Sequence, residues 1–480
     1  MSREKFAWVA SVVLVGLLAF QLPGTLAHRD DDYAFVGQLL TIHRNVVDNY
    51  AEPVDEEKLR TGAINGMLGQ LDPYTVYVPP ADEEKFDRLL EGSYKGVGIQ
   101  LDQDENTKEI EVITPIEGSP AMRAGVMAGD IILAVNGESV RGITLEEVMT
   151  KIKGPLGSEV KLKVRHVTGE EVELTMTRQE IVMPTVKGYV RNPDNTWDYF
   201  VHDEPKVAYV RLTQFTPDTA AKLRAVLEQL LGEGMKGLIL DVRFNPGGRL
   251  DQAKEVVDLF LEDGTIVVTR GRSRPEEVAK ATKAGTLPDF PMVVLVNEHS
   301  ASASEIVAGS LMDNRRALVV GTRTYGKGSV QEVMRLDRGG ELKMTVAHYY
   351  LPSGRLVHQK KGATDWGVNP QIIVPMDEDA QKWLAQNLEQ TEWFRRPTVA
   401  TKPATAPATQ PITQPLPVPA TRPGAAPPAT GPATTQASTQ PTQHTDNQLE
   451  AAISTMIGHI VLKGERDVAA RGTPVTRPVQ

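Results

Sequence analysis

Short apolar runs alternate with segments of helical spacing through the middle of this chain, and this alternation constrains its fold more than any other feature. The apolar runs are Val207–Leu212, Gly237–Leu240, Met292–Val296 and Ala317–Gly321. The helical segments between them are Asp218–Leu231, Asp251–Leu261 and Glu305–Met312. Strands that alternate with helices in this way predict a layered α/β fold. We expect this core to cover residues 181–395.

Two short segments that follow the last two apolar runs carry the residues of a candidate catalytic site. Ser300–Ile306 has the sequence S-A-S-A-S-E-I, and Thr324–Gln331 has the sequence T-Y-G-K-G-S-V-Q. A hydroxyl at a strand-to-helix turn lies beside a helix N-terminus, which stabilises the negative charge that develops on an attacked carbonyl. Lys327 lies between two glycines, and a lysine that burial keeps neutral can accept a proton from a serine.

These segments resemble the carboxyl-terminal processing proteases, also called tail-specific proteases, which form the S41 family of Ser-Lys serine peptidases. The resemblance spans roughly residues 33–374. In that family the nucleophile is the middle serine of an S-A-S-A-S-E run, and the lysine follows 25 residues later in T-x-G-K-G; here these positions are Ser302 and Lys327. The family's triad is completed by a glutamine four residues after the lysine, a position that Gln331 occupies.

A third motif, D-V-R-F-N-P-G-G at residues 241–248, resembles the family's D-L-R-x-N-P-G-G element. The resemblance implies that the amides of Gly247 and Gly248 supply one donor of an oxyanion hole and that the Ala303 amide supplies the other. It also implies a core of the Clp-protease and crotonase architecture, with Trp366–Pro370 as the closing strand.

Each motif also has a simpler interpretation. Serines in such turns usually cap helices, which is how we interpret Ser300 and Ser304 and which is the alternative for Ser302. A lysine in a Gly-Lys-Gly turn is usually a solvated loop residue, and the spacing of a phosphate loop is absent. Gln331 also fits an ordinary strand position. The acidic and basic residues of the third motif are interpreted as a structural ion pair.

Residues 91–180 are predicted to form a PDZ domain. Their short strands, the V-N-G turn and the helix predicted over Leu145–Ile152 are typical of that fold. In such domains a peptide adds as a strand and its terminal carboxylate meets the amides of a glycine loop. By resemblance, the peptide-binding residues of this loop are Gly96, Val97, Gly98 and Ile99. The chain departs from the family at Lys153, where the family usually has an arginine, so a regulatory role tied to that arginine is in doubt.

The N-terminal segment, residues 1–27, predicts export. Arg3 and Lys5 precede an uncharged stretch whose apolar part, Phe6–Phe20, has the length of a signal-peptide core. A cleaved signal and an uncleaved membrane anchor both fit, and either one places the remaining chain in the periplasm or elsewhere outside the cytoplasm. Residues 28–90 form a predicted helical region, and Met67–Val78 within it has an expected role in packing or dimerisation, which would make the protein a homo-oligomer.

The composition changes abruptly after Arg396. Residues 396–446 contain 12 of the 33 prolines and almost no charged or aromatic residues, so we expect a disordered linker. Residues 447–480 are predicted to hold a C-terminal helix and tail. The helix, Asn447–Lys463, resembles the one that usually follows the closing strand in the family, displaced here by the insertion. It is expected to dock on the core or on a partner.

Composition limits the function. The formal net charge is −10, so no nucleic-acid-binding surface is expected, and the absence of cysteine excludes a thiol nucleophile. No metal-ligand spacing is found, and neither a metal nor another cofactor is implied. We therefore predict a serine endopeptidase that binds C-terminal tails of proteins or peptides. The alternatives are a PDZ scaffold that binds tails without cutting and a crotonase-like acyl-CoA enzyme.

Overall fold

The computed structural model of this protein describes residues 34–83, 86, 93–337, 339–394 and 444–471, with side chains as far as residue 463. The predicted export segment, residues 1–27, and nearly all of the predicted linker lie outside the described residues. The described part of the chain divides into two compact units. One contains the described part of Met1–Glu83 together with Gln331–Thr345, and the other contains the remainder.

The first unit is built from two helices and a short strand pairing. Helix α1 covers residues 34–49, helix α2 covers Glu56–Leu68, and strand β1 covers Val76–Val78. Asp55 caps α2, because its carboxylate accepts a hydrogen bond from the Lys58 amide. Strand β1 pairs antiparallel with residues 341–343. No helix among the described residues is long and apolar enough to cross a bilayer.

Residues 93–182 of the second unit form a small antiparallel sheet with helices. The strands are β2 Ser93–Gly96, β3 Ile99–Gln103, β4 Ile110–Pro115, β5 Ile131–Val135, β6 Glu138–Ser139, β7 Glu159–Arg165, β8 Glu171–Thr177 and β9 Gln179–Val182, and the helices are α3 Pro120–Ala124 and α4 Leu145–Ile152. The sheet order is β3-β4-β5-β7-β8, with β6 on β5, while β2 pairs with β9. The apolar residues on one face of this sheet pack against α4 through Val148 and Ile152.

The rest of the second unit is a layered α/β core. Its strands are β10 Val186–Lys187, β11 Val190–Arg191, β12 Trp197–Asp198, β13 Phe200–Asp203, β14 Lys206–Leu212, β15 Gly237–Asp241, β16 Thr265–Gly271, β17 Arg274–Lys280, β18 Met292–Val296, β19 Leu318–Gly321, β20 Ser329–Arg335, β21 Glu341–Tyr350 and β22 Ile372–Ile373. Of these, the residues Gln331–Arg335 of β20 and Glu341–Thr345 of β21 belong to the first unit. Its helices are α5 Thr219–Gly232, α6 Leu250–Asp258, α7 Ala303–Asp313, α8 Glu378–Glu392 and α9 Asn447–Arg471. Strands β14, β15, β18, β19 and β22 pair in parallel in that order, so the carboxyl ends of the parallel strands share one edge.

Both faces of the parallel sheet are covered, which explains why its strands are continuous apolar runs. Alternate strand residues, such as Val210, Leu240 and Val294, pack beneath α5, α6 and α7. The residues between them face the opposite layer, where α9 packs against the strand side chains Val207, Tyr209, Ile239, Val293, Leu295 and Val320. The mixed α/β class predicted from the sequence is therefore confirmed, whereas the Clp-protease and crotonase architecture stays a prediction.

The predicted closing strand is wrong in position, since Trp366–Pro370 is not a strand and β22 covers Ile372–Ile373. Helix α8, which was not predicted, begins five residues after β22. The interpretation of α9 as the family's helix displaced by the insertion stays a prediction. Helix α9 is an additional element that docks on the core. Its buried residues Leu449, Ala452 and Met456 supply the apolar contact with the sheet.

Candidate active site

Ser302 lies at the turn between β18 and α7, at the edge where the parallel strands end. Its backbone has φ 58° and ψ −114°, an unusual conformation for a residue with a side chain. Such strained turns are held by their surroundings and occur often at functional sites. Ser302 is also the N-cap residue of α7, so its side chain stands at the positive end of that helix.

The two neighbouring serines secure this turn. The Ser300 hydroxyl donates to the carbonyl oxygen of Val242 (2.7 Å), and the Ser304 hydroxyl donates to that of Asn245 (2.9 Å). Both serines are fully buried. They therefore bind the turn to the 241–248 motif. Neither of them is the N-cap of α7, which is Ser302, so the predicted capping role is wrong.

Glu305 connects the serine turn to the lysine loop. Its Oε2 accepts the amides of Ser302 and Lys327, each at 2.8 Å, so the two amide nitrogens lie within twice that distance of each other. Its Oε1 accepts the Thr324 hydroxyl (2.6 Å) and the Gly326 amide (2.7 Å). Burial raises the pKa of Glu305, although these four hydrogen bonds oppose that shift.

The role of Glu305 as a connection between the two loops was not predicted from the sequence. A glutamate three residues after an N-cap serine is the pattern of a capping box, and the Ser302 amide does donate to this carboxylate. That pattern explains only one of the four hydrogen bonds. The other three come from residues 19 to 22 positions away in the chain, which local sequence does not reveal.

The backbone carbonyl oxygens of the lysine loop also accept hydrogen bonds. The Tyr349 hydroxyl donates to the carbonyl oxygen of Lys327, and the Tyr349 amide donates to that of Gly328 (3.0 Å). The Gln359 amide donates to the carbonyl oxygen of Gly326 (2.8 Å). Every residue of the Gly-Lys-Gly turn is therefore fixed by at least one hydrogen bond of its backbone.

Gly247 lies directly against the serine turn. It has φ +100°, and a Cβ at this position would lie 2.8 Å from Ser302 Cβ and 3.0 Å from the Ala303 nitrogen, so only glycine fits. Its amide donates to the side-chain oxygen of Asn245 (2.9 Å). Within the described part of the chain, the amides of Gly248 and Ala303 have no such acceptor. These two amides are therefore available as donors in this conformation.

Gln331, the third residue of the predicted triad, belongs to the first unit of the chain. Its side-chain amide donates to the Thr345 hydroxyl at 3.2 Å. Its role next to Lys327 stays a prediction.

The predicted peptide-binding loop, residues 96–99, connects β2 to β3. The carbonyl oxygen of Gly98 accepts the Ile116 amide (2.9 Å) and the Ser119 hydroxyl (3.1 Å). Gly98 has φ +79°, and a Cβ there would lie 2.3 Å from Ser119 Cβ. The loop therefore has little freedom to move and cannot accept a side chain at Gly98 without distortion.

Comparison with known proteins decides the family. The family model described as Peptidase family S41 matches residues 206–374, a PDZ domain model matches residues 111–166, and a model described as Activating protease CtpB N-terminal domain matches residues 30–83. The carboxy-terminal-processing protease of Bartonella bacilliformis is 36% identical over 381 residues, which cover 78% of this chain and 83% of that protein. The chain belongs to the carboxy-terminal processing protease family.

Other members of this protease family are also similar. The carboxy-terminal processing protease CtpA of Bacillus subtilis is 33% identical over 341 residues, which cover 71% of this chain and 69% of that protein. The solved structure of a photosystem II D1 C-terminal processing protease is 30% identical, covers 70% of this chain and 86% of its own, and gives a TM-score of 0.40. The family models and the two curated relatives make the chain an S41-family peptidase that carries a PDZ domain.

This family member differs from the usual pattern at Lys153, and the structure shows what holds the adjacent turn. Lys153 is exposed at the end of α4. The guanidinium of Arg178 instead donates to the carbonyl oxygen of Ile152 (2.8 Å) and to the Ser158 hydroxyl (3.0 Å). Arg178 therefore stabilises the C-terminus of α4 from the far end of the domain sequence.

No cluster of three or more metal-ligating side chains occurs in the residues that the structure describes.

Proposed function

We propose that this carboxy-terminal processing protease is a serine endopeptidase in which Ser302 is the nucleophile and Lys327 is the general base. One observation supports this proposal above the others: a single buried carboxylate oxygen of Glu305 accepts the backbone amides of both residues. Two loops that are 25 residues apart in sequence are thereby kept together at the positive end of α7.

The proposed reaction has two steps. In the first, Ser302 Oγ attacks the peptide carbonyl carbon, and Lys327 Nζ accepts the hydroxyl proton. Lys327 then returns this proton to the leaving amine, the peptide C–N bond breaks, and an acyl-enzyme ester remains on Ser302. In the second, Lys327 takes a proton from water as the water attacks the ester. The C–O bond to Ser302 breaks, and the proton passes to Ser302 Oγ.

The negative charge on the carbonyl oxygen needs donors at both transition states. We assign this role to the amide of Ala303, at the N-terminus of α7, and to the glycine pair of the 241–248 motif. Of that pair, the Gly247 amide is engaged with Asn245, so the Gly248 amide is the more available donor in this conformation. Removal of one such donor typically slows catalysis by about 10²–10³-fold.

Gln331 is proposed to orient Lys327 through its side-chain amide. This assignment rests on the resemblance to the family's triad and on the four-residue spacing between the two positions. The Gln331 amide already donates to Thr345, so contact with Lys327 would use its remaining hydrogen-bonding groups.

Substrate selection is assigned to the PDZ domain. The loop formed by Gly96, Val97, Gly98 and Ile99 would bind the terminal carboxylate of a protein tail, and the tail would add as a strand beside β3. Residues 1–27 are proposed to direct export, either as a cleaved signal or as a membrane anchor, so that the substrates are exported proteins. A homo-oligomer formed through Met67–Val78 is part of the same proposal.

A casein-cleavage assay separates this function from its two alternatives. The protease should cut casein, and Ser302→Ala should abolish cleavage while the protein remains folded. A PDZ scaffold would bind tail peptides without cutting casein in either form. A crotonase-like enzyme would convert an acyl-CoA thioester and leave casein intact. Cleavage of casein by Ser302→Ala at the rate of the unchanged protein would overturn the assignment of the nucleophile.

A further inference from the structure

The guanidinium of Arg243, which is fully buried, is shared by two aspartates from distant parts of the chain. Asp241 accepts from Nε (3.1 Å to Oδ1) and from Nη2 (2.7 Å), and Asp446 accepts from Nη1 (2.7 Å) and Nη2 (2.8 Å). Gln448 accepts the remaining Nη1 hydrogen at 3.2 Å. All five N–H groups of the guanidinium therefore have acceptors, and two of the five bonds depend on Asp446.

Asp446 belongs to the last part of the chain. It was predicted to lie at the end of the linker. In the structure it caps α9, because its carboxylate also accepts a hydrogen bond from the Leu449 amide (3.0 Å). The start of α9 is further held by Asn447, which donates to the Pro375 carbonyl (3.1 Å), and by Gln448, which donates to the Val374 carbonyl (2.9 Å). The contacts that dock the start of α9 therefore include the hydrogen bonds that Asp446 accepts from Arg243.

Arg243 leads directly into the glycine loop of the candidate active site. The next residue, Phe244, has φ +57°, and its amide donates to the Asn297 side chain (3.0 Å). The carbonyl of Asn245 accepts the Ala301 amide (3.0 Å), next to the nucleophile. A chain of direct contacts therefore runs from Asp446 through Arg243 to the loop that faces Ser302.

We propose that Asp446, at the N-terminus of helix α9, is a positioning residue of the active site. Docking of α9 delivers the Asp446 carboxylate to Arg243, and Arg243 in turn holds residues 244–248 against the serine turn. Without the Asp446 carboxylate, the buried guanidinium of Arg243 keeps only one neutralising charge, and two of its N–H groups lose their acceptor. We expect residues 244–248, which follow Arg243, to become mobile as a result. This inference rests on the proposed peptidase function.

The decisive variant is Asp446→Asn in the full chain. Asparagine caps helices as well as aspartate does, so α9 keeps its cap while Arg243 loses the charge. At a temperature well below the melting point, we expect kcat on an unstructured peptide to fall at least about tenfold, with KM changed less than about threefold. Asp446→Glu should recover part of the lost kcat, because it restores the charge.

Two matched controls separate positioning from stability. Met456→Ala removes a buried contact between α9 and the sheet, and Lys463→Gln removes the exposed ion pair between Asp289 and a later turn of the helix. Met456→Ala should lower the melting temperature at least as much as Asp446→Asn, yet both controls should keep kcat within about twofold when measured below their melting points. A fall of kcat in Met456→Ala that matches the fall in Asp446→Asn would mean that Asp446 acts only by stabilising the docked helix, which would overturn the inference.

Hydrogen exchange supplies a readout that does not require peptidase activity. The amides of residues 244, 245 and 247–249 should exchange faster in Asp446→Asn than in Lys463→Gln or the unchanged protein. Unchanged exchange in this loop, or an unchanged kcat in Asp446→Asn, would overturn the inference. If the unchanged protein cuts no peptide, the proposed function fails, but faster exchange in Asp446→Asn would still support the link between α9 and the loop.

Discussion

Lys327 carries the most direct requirement of the proposed mechanism, since only a neutral amine can accept the Ser302 proton. The ordinary pKa of lysine is about 10.4, so the neutral form becomes more abundant and turnover should increase as the pH rises. Lys327→Arg should be inactive although it keeps the charge and most of the length, because guanidinium does not deprotonate in proteins. Lys327→Ala should be equally inactive and still folded.

The measurement is kcat/KM against pH on one peptide, with circular dichroism of each variant as the folding control. Substantial turnover by Lys327→Arg would rule out lysine as the base. Loss of activity on mutation of a histidine, with Lys327 dispensable, would point instead to a histidine-based mechanism.

Glu305 should be needed for activity although we expect it to make no contact with substrate. In Glu305→Gln, one carboxylate oxygen is replaced by an NH₂ group, which would face two of the four donors that now point at Glu305. The two loops should separate, and we expect kcat to fall by at least about tenfold and stability to fall by about 1–3 kcal/mol. The kinetic test compares kcat and KM below the melting temperature, and urea unfolding gives the stability.

Asp218→Asn is a suitable control for Glu305→Gln, since Asp218 is a partly exposed carboxylate that is hydrogen-bonded to Thr216 and paired with Lys222 at the start of α5. It should leave kcat unchanged. An active Glu305→Gln enzyme would show that the hydrogen bonds to this carboxylate do not set the distance between Ser302 and Lys327.

Only those features of the site that follow from neighbouring residues in the sequence were predicted. The turn at Ser302 was expected from an apolar run that leads into small residues, and the structure shows that turn at the N-terminus of α7. The engagement of the Gly247 amide by Asn245, and the four bonds of Glu305, were not expected. The bond from the Gly247 amide to Asn245 is a local turn, and the bond from the Ser302 amide to Glu305 is a local capping box. The other three bonds of Glu305 depend on which loops meet after folding, which no nearby sequence pattern encodes.

At the level of elements, the glycine loop of the PDZ domain can be tested by a steric change. Gly98→Val would place a Cβ 2.3 Å from Ser119 Cβ in a backbone conformation with φ +79°, so the loop must distort. We expect cleavage of proteins with a free apolar tail to fall more than cleavage of short peptides. The measurement is the ratio of the two kcat/KM values, with Gly118→Val as control.

Gly118 also has a positive φ of +70°, but a Cβ there would meet no atom within 4 Å, so the control carries the backbone strain without the collision. Equal loss of both activities in Gly98→Val would mean that this domain does not select substrates.

The predicted helices and strands of the core match the structure because their apolar spacing is strong. Strand β18 has the predicted bounds, α5 differs from its prediction by one residue at each end, and α6 ends three residues earlier than predicted. Helix α4 of the PDZ domain also has its predicted bounds. Helix α8 and the hairpin of β16 and β17 were not predicted. Helix α8 has few buried residues, Leu384 and Leu388 among them, and β17 is almost entirely exposed, so neither shows a clear apolar period.

At the scale of the whole molecule, the docking of α9 sets the distance between the two ends that residues 395–443 connect. The rings of Trp383 and His444 are 6.2 Å apart, and α8 extends about 14 Å from Trp383 to Glu392. The ends that this segment joins are therefore close compared with its length. A connection of fourteen residues, which spans up to about 46 Å when extended, would be sufficient.

Deletion of Thr405–Thr439 leaves such a connection. Because a segment of this composition adds no packed core, peptidase activity should stay within about twofold and the melting temperature within about 2 °C of the unchanged protein. The contrasting variant lacks residues 444–480, which removes α9, exposes the sheet face around Ile239 and Val293, and leaves Arg243 without Asp446. It should melt many degrees lower and lose activity. Kinetics on one peptide and thermal unfolding measure both, and a large fall in melting temperature after the linker deletion would mean that this segment folds onto the core.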